Sequence, residues 1–126
     1  MSANTPVKVL LVEDHDHLSR LYLQHLEAAG FDAHLVASGS QALQEALDFR
    51  PALIVLDTTM PQVSGYDLLD ILRHTPEMSH AKIILLAPVV SPADRLHARE
   101  LGADLMVKSE AVIGDVIERL RHHSGK

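Results

Sequence analysis

The sequence predicts an α/β fold in which a five-stranded parallel sheet is covered by helices on both faces. Two observations carry this expectation. Strand-like and helix-like patterns alternate five times with little chain between them, the order that builds a parallel sheet. Three of the strand segments are also apolar almost throughout, as strands buried on both faces must be.

The elements follow in order. Val7 to Val12 reads as a buried strand, and then Leu18, Leu21, Tyr22, His25, Leu26 and Ala29 recur at helical spacing up to Gly30, a natural helix stop. Asp14 or Asp16 is placed to cap this helix, which starts near His17. Phe31 to Val36 is a shorter strand, and Ser38 heads a helix carrying Ala42, Leu43, Ala46 and Leu47 before Pro51. The third strand is Ala52 to Leu56, and Leu68, Leu69 and Leu72 mark the next helix. Lys82 to Ala87 is the fourth strand. Ser91-Pro92-Ala93-Asp94 then combines a Ser N-cap, Pro at the first helical position and an acid in the first turn. Gly102 ends that helix, Leu105 to Val107 is the fifth strand, and Ile113, Val116, Ile117 and Leu120 stripe the last helix. Residues 1–6 and 123–126 are expected to be tails around a domain at 7–122.

Composition narrows the function. At 126 residues and 47% apolar, the chain suits one domain with a single core. A net charge of -6 argues against direct nucleic-acid binding, which needs clustered cations. The absence of cysteine excludes disulfides, thiolate metal sites and a thiol nucleophile. The longest strongly apolar run, Ile83 to Val90, contains Pro88 and is too short to cross a bilayer, and no basic-then-apolar leader is read at the start. A soluble, cytoplasmic chain without membrane contact is expected.

In an open parallel sheet, ligands bind beyond the carboxyl ends of the strands. Strand one ends in Glu13-Asp14, strand three in Asp57 and strand five in Lys108. If these strands converge, three carboxylates and one ammonium share a shallow pocket. Clustered carboxylates repel unless a cation neutralises them, and hard oxygen ligands favour magnesium or manganese. A carboxylate can attack a phosphoryl group to give an acyl phosphate, with the metal and the lysine as counter-charges. No glycine-rich nucleotide fingerprint accompanies the acids. Each acid alone has a plainer reading as a helix cap; the set of four on one edge does not.

The stretches LLVEDHDHLSRLYLQHLEAAGF, LIVLDTTMPQVSGYDLLDILR and ELGADLMVKS resemble the receiver domain of two-component response regulators over about residues 7 to 122. The D-x-x-M-P-x-x-x-G segment from Asp57 to Gly65, following a buried strand, is the specific part. The resemblance implies a doubly wound (βα)5 domain of flavodoxin-like strand order 2-1-3-4-5. It implies phosphoryl transfer to Asp57 from a phosphohistidine of a sensor kinase or histidine-phosphotransfer protein. It further implies magnesium, with manganese as the alternative, bound by Asp14 directly, Glu13 through water, Asp57 and the Thr59 backbone carbonyl. Lys108 would pair with the phosphoryl group, and Pro61 and Gly65 match the turn into the third helix. Such a domain is no enzyme toward other substrates, and at most catalyses its own phosphorylation and dephosphorylation.

Several positions depart from that family. The fourth strand ends in Ala87 and Pro88, where the family has Thr or Ser, usually followed by Ala or Gly. Ala87 has no hydroxyl for a phosphoryl oxygen, a charge-assisted contact of about 1.5–3 kcal/mol, and Pro88 brings no N–H. Leu105 occupies the place of the family's Tyr or Phe, and the segment Gly102 to Lys108 is one residue shorter than usual. Ser109 replaces a proline after Lys108, so a trans bond is expected there. The usual output route is therefore in question. Ser91 or Ser109 is a candidate substitute hydroxyl.

Two functional readings compete. One is a phosphorylatable receiver with an atypical output switch; the alternative is a pseudo-receiver acting as a constitutive binding scaffold. A phosphoesterase is disfavoured, because Thr59 stands where aspartate-based phosphatases carry a second acid. Output is expected through another protein or an output domain, from a monomer or weak dimer. Of the nine histidines, His15 beside the acid pair is the candidate for pH dependence, and His25 is read as a core-edge residue. Val89-Val90 is expected to be partly exposed, as packing or a small contact patch.

Overall fold

The computed structural model describes residues 5–60 and 62–124. Pro61, expected in the turn before the third helix, lies outside the described residues, as do 1–4 and 125–126 of the expected tails.

Strands and helices alternate as β1 (Lys8–Val12), α1 (Asp16–Ala28), β2 (Asp32–Val36), α2 (Gly39–Phe49), β3 (Leu53–Asp57), α3 (Gly65–Arg73), β4 (Lys82–Ala87), α4 (Pro92–Glu100), β5 (Ala103–Val107) and α5 (Ile113–Ser124). Short 3-10 turns occupy Pro76–Met78 and Glu110–Val112. The sheet order is β2-β1-β3-β4-β5, with every pairing parallel. This is the 2-1-3-4-5 order expected from the resemblance.

Alternate residues of the inner strands face opposite layers, the two-residue period of a pleated strand. Leu10, Val12, Ile54, Leu56, Ile83, Leu85 and Leu105 pack with residues of α2, α3 and α4. Val9, Leu11, Leu53, Val55, Ile84 and Leu86 pack with α1 and α5. Burial of each such Leu or Ile side chain contributes about 1.5–3 kcal/mol. These two cores hold the sheet rigid beneath its carboxyl edge.

Helix ends are where the structure departs from the sequence expectations. α1 is capped by neither Asp14 nor Asp16: the N-cap is His15, whose Nδ1 accepts the Leu18 N–H at 3.3 Å. An unprotonated ring nitrogen in an extended residue does the work of a carboxylate there. Asp16 becomes the first helical residue, favourable beside the helix dipole, and Asp14 is left outside the helix. Ser38 stands at the N-cap of α2, but its hydroxyl bonds Ser40 Oγ at 2.7 Å and makes no capping bond. Ser64 and Ser91 do cap α3 and α4, accepting from the N–H groups of Asp67 and Asp94. Gly30 and Gly102 follow α1 and α4 with φ of 88° and 70°, the left-handed conformation that glycine adopts without strain.

His25 is exposed, not at the core edge, because the buried face of α1 runs through Leu18, Ser19, Tyr22 and Leu26. Its ring instead meets the Leu21 carbonyl oxygen at 2.8 Å. At the opposite edge of the sheet from the strand ends, Arg73 ties four carbonyls together. Its guanidinium donates to Leu101 O at 2.7 Å, Ala81 O at 2.7 Å, Gly102 O at 2.9 Å and Ser79 O at 3.2 Å. This fork joins the end of α3 to the start of β4 and to the α4–β5 turn. Among the described residues, no helix is long and apolar enough to cross a membrane.

Candidate functional site

Asp57 is the last residue of β3 and lies beside Leu86 of β4 in the parallel register. Thr58 continues the pairing by one bond, its N–H donating to Leu86 O at 2.9 Å. The Asp57 side chain is therefore delivered by a strand pinned on both sides, and it is fully buried. Its Oδ1 accepts two hydrogen bonds from Thr59, from the N–H at 2.9 Å and from Oγ1 at 2.9 Å. Its Oδ2 accepts from Lys108 Nζ at 2.7 Å.

Glu13 comes from the end of β1, anchored by its N–H to Val36 O at 3.0 Å. Its Oε2 accepts the His15 N–H at 3.1 Å and lies 3.3 Å from Lys108 Nζ. Glu13 Oε1 is buried with no hydrogen-bond partner among the described residues. Asp14 is exposed, and oxygens of Glu13, Asp14 and Asp57 all lie within 4.8 Å of one another. Strands one, three and five thus bring together the four groups expected from the sequence.

Lys108 reaches this point although the loop before it is short and Ser109 replaces proline. β5 begins directly after Gly102, Val107 pairs with Ala87, and the Lys108 N–H donates to Ala87 O at 2.7 Å. The strand itself places the lysine, and no cis peptide bond occurs among the described residues. On the far side of Asp57, Gly65 packs so closely that a Cβ there would lie 2.7 Å from the Asp57 carbonyl oxygen and 2.7 Å from Thr58 Cα. Only glycine lets α3 start against the backbone that carries the acid.

The electrostatics divide the two buried carboxyls. Burial, and then the neighbouring Asp57 carboxylate, push Glu13 up to about 7. Burial also acts to raise Asp57, but the Lys108 hydrogen bond and the Thr59 donors outweigh it and hold its pKa below the ordinary value. Lys108 is raised: burial opposes its charge, and the bond to Asp57 with the charge of Glu13 overcomes that. Beneath the site, the fully buried Tyr22 is raised by burial and by the charge of Glu13.

A cavity of about 330 Å³, lined by His15, His17, Thr59, Pro88, Lys108 and Ser109 among others, opens beside the carboxylates. His17 and Glu110 bridge α1 to the β5–α5 connection at its rim. Ala87 is buried and presents only a methyl group, Pro88 is exposed, and Leu105 is packed in the core beside Leu85. Ser91 accepts the Asp94 N–H as the α4 cap and is not among the residues that line this cavity. Ser109 remains on the cavity wall. Val89 is exposed while Val90 packs on the core. The Thr59 hydroxyl is the contact that sequence reading did not single out, since only its backbone carbonyl was considered.

These donors suit a hard divalent cation. Three carboxylates converge, and the orphaned buried oxygen of Glu13 is a lone pair awaiting a partner. Comparison with known proteins places the arrangement. A family model for the response regulator receiver domain matches residues 9–121. The chain belongs to the response regulator receiver family. This receiver domain is 27% identical over 120 residues to the polar-differentiation response regulator DivK of Brucella anthropi, covering 95% of this chain and 98% of DivK. The structure of the chemotaxis response regulator CheY4 of Vibrio cholerae matches it with a TM-score of 0.83 at 25% identity, over 92% of this chain and 99% of CheY4. The receiver domain of a Francisella response regulator matches with a TM-score of 0.84 at 26% identity, over 93% and 95% of the two chains.

Proposed function

We infer that this receiver domain accepts a phosphoryl group on Asp57 from a phosphohistidine of a sensor kinase or histidine-phosphotransfer protein, and relays that state to a downstream protein or output domain. The observation that carries the reading is the Lys108 ammonium 2.7 Å from Asp57 Oδ2, beside two further carboxylates. Lys108 keeps Asp57 ionised, as a nucleophile must be. In the transfer, one Asp57 oxygen forms the O–P bond as the P–N bond of the donor breaks. The leaving imidazole keeps the electron pair of that bond.

Asp14, Asp57 and the Thr59 backbone carbonyl would hold the cation, with Glu13 acting through water. Magnesium, or manganese in its place, would supply neutralisation of charge on the phosphoryl oxygens. Lys108 supplies a second counter-charge beside Asp57 and Glu13, and the pinned β3 fixes the direction of the Asp57 carboxylate. In this reading the domain is a signalling protein, and its turnover is that of its own acyl phosphate. The working form is a cytoplasmic monomer or weak dimer without nucleic-acid contacts of its own. The scaffold reading leaves the convergence of Glu13, Asp14, Asp57 and Lys108 without a purpose, and is the weaker one.

The test uses phosphoramidate, whose P–N bond matches that of a phosphohistidine. Phosphate-affinity gels are expected to show a slower species with magnesium and none with a chelator. A pattern unchanged by magnesium, or a shift that persists in Asp57→Asn, would overturn the reading.

A further inference from the structure

A phosphoryl group on Asp57 presents three outer oxygens. Lys108 is placed to take one, a cation held by the acids would take another, and the third needs a hydrogen-bond donor. The end of β4 supplies none on its side chains: Ala87 offers a methyl group and Pro88 a ring. Ser91, whose oxygen accepts the Asp94 N–H, does not line the cavity beside Lys108. Thr59 is different. Its Oγ1 is 2.9 Å from Asp57 Oδ1 and 3.5 Å from Lys108 Nζ, and it lines the same cavity as Lys108.

We propose that the Thr59 hydroxyl is the third phosphoryl-oxygen donor of this site, doing from the β3–α3 connection what no side chain at the end of β4 can do. The proposal rests on Asp57 being the phosphoacceptor. Before transfer the hydroxyl donates to the carboxylate. After transfer, rotation about χ1 hands the same proton to a phosphoryl oxygen, and no bond other than hydrogen bonds changes. The Thr59 N–H already donates to Asp57, so the turn moves little. The phosphorylated state would then be read first in the loop leading to Gly65 and α3, whose N-terminus lies against the Asp57–Thr58 backbone.

The experiment measures binding of beryllofluoride, a phosphoryl mimic, by 19F NMR with magnesium present. It compares wild type, Asp57→Asn, Thr59→Val and Thr59→Ser, and measures Mn2+ affinity alone by electron paramagnetic resonance. Thr59 is exposed at the strand end, so its variants are expected to fold. A lost hydrogen bond to a charged group predicts binding weaker by about tenfold or more in Thr59→Val. Thr59→Ser should stay within about threefold of wild type, and any change of Mn2+ affinity in Thr59→Val, whose hydroxyl donates to a carboxylate assigned to the cation, should be smaller than its loss of beryllofluoride affinity. Equal beryllofluoride affinity in wild type and Thr59→Val would overturn this inference and leave the phosphoacceptor reading standing. A loss of Mn2+ affinity in Thr59→Val as large as its loss of beryllofluoride affinity would also overturn it, since the residue would then act by holding the cation site. Absence of binding to wild type would overturn both.

Discussion

Lys108 and Asp57, fifty-one residues apart in sequence, meet through a 2.7 Å hydrogen bond between ammonium and carboxylate. The contact exists because β3 and β5 flank β4 and both end at the same level. It neutralises one of two buried acids, and the first two expectations below follow from it.

Replacing Lys108 by Met leaves Asp57 and Glu13 facing each other without a cation. Breaking a buried pair from one side costs about 3–5 kcal/mol. The expected loss in metal-free protein is toward the lower end, since one acid can protonate. Urea unfolding at neutral pH checks this, and a loss below about 1 kcal/mol would show the pair to be electrostatically idle.

Stability should depend on pH in an unusual direction. Glu13 has an ordinary value of 4.5 and is pushed up to about 7 in the fold. Between these values the folded protein binds more protons than the unfolded chain, so stability falls as pH rises. For metal-free protein the expected loss is on the order of 3 kcal/mol across that window, and Glu13→Gln should abolish it. Asp57 acts oppositely, since its lowered pKa contributes stability that is lost as pH falls through the folded value. Denaturation curves at several pH values, wild type against Glu13→Gln, separate this slope from the histidines common to both.

Gly65→Ala would push a methyl group to 2.7 Å from backbone atoms of Asp57 and Thr58. Those atoms belong to a paired strand end and cannot yield as a side-chain tip would. A destabilisation of about 1–3 kcal/mol is expected, together with shifted amide signals at Thr58 and Thr59. A variant with wild-type stability and an undisturbed spectrum would show that the turn gives way easily.

Arg73→Lys keeps the charge but loses the planar fork that reaches four carbonyls. A loss of about 2 kcal/mol is expected from the abandoned carbonyls. Faster hydrogen exchange should appear at the start of β4 and in the α4–β5 turn, with the Asp57 end of the sheet unaffected.

Much of this was legible in the residues. Buried parallel strands are apolar on both faces, so an acid closing such a run, as Asp57 closes Leu53 to Leu56, marks the sheet edge where ligands bind. Lys108 was legible as a residue but not as a position. Its place depends on the register of Val107 with Ala87, which compensates for the short loop. The α1 cap was misread because acids outrank histidine as caps, yet the His15 ring nitrogen faces the Leu18 N–H. His25 was misread because one residue of helical phase separates a buried from an exposed position. The Thr59 hydroxyl was hidden because the turn backbone, not the residue type, brings it onto Asp57.

The most direct test is the intact mass of the protein after incubation with magnesium and acetyl phosphate, with Asp57→Asn treated alongside. The expected result is one added phosphoryl group on the wild type, lost on treatment with hydroxylamine as an acyl phosphate must be, and none on the variant. No added mass on the wild type, or equal addition to the variant, would contradict Asp57 as the acceptor.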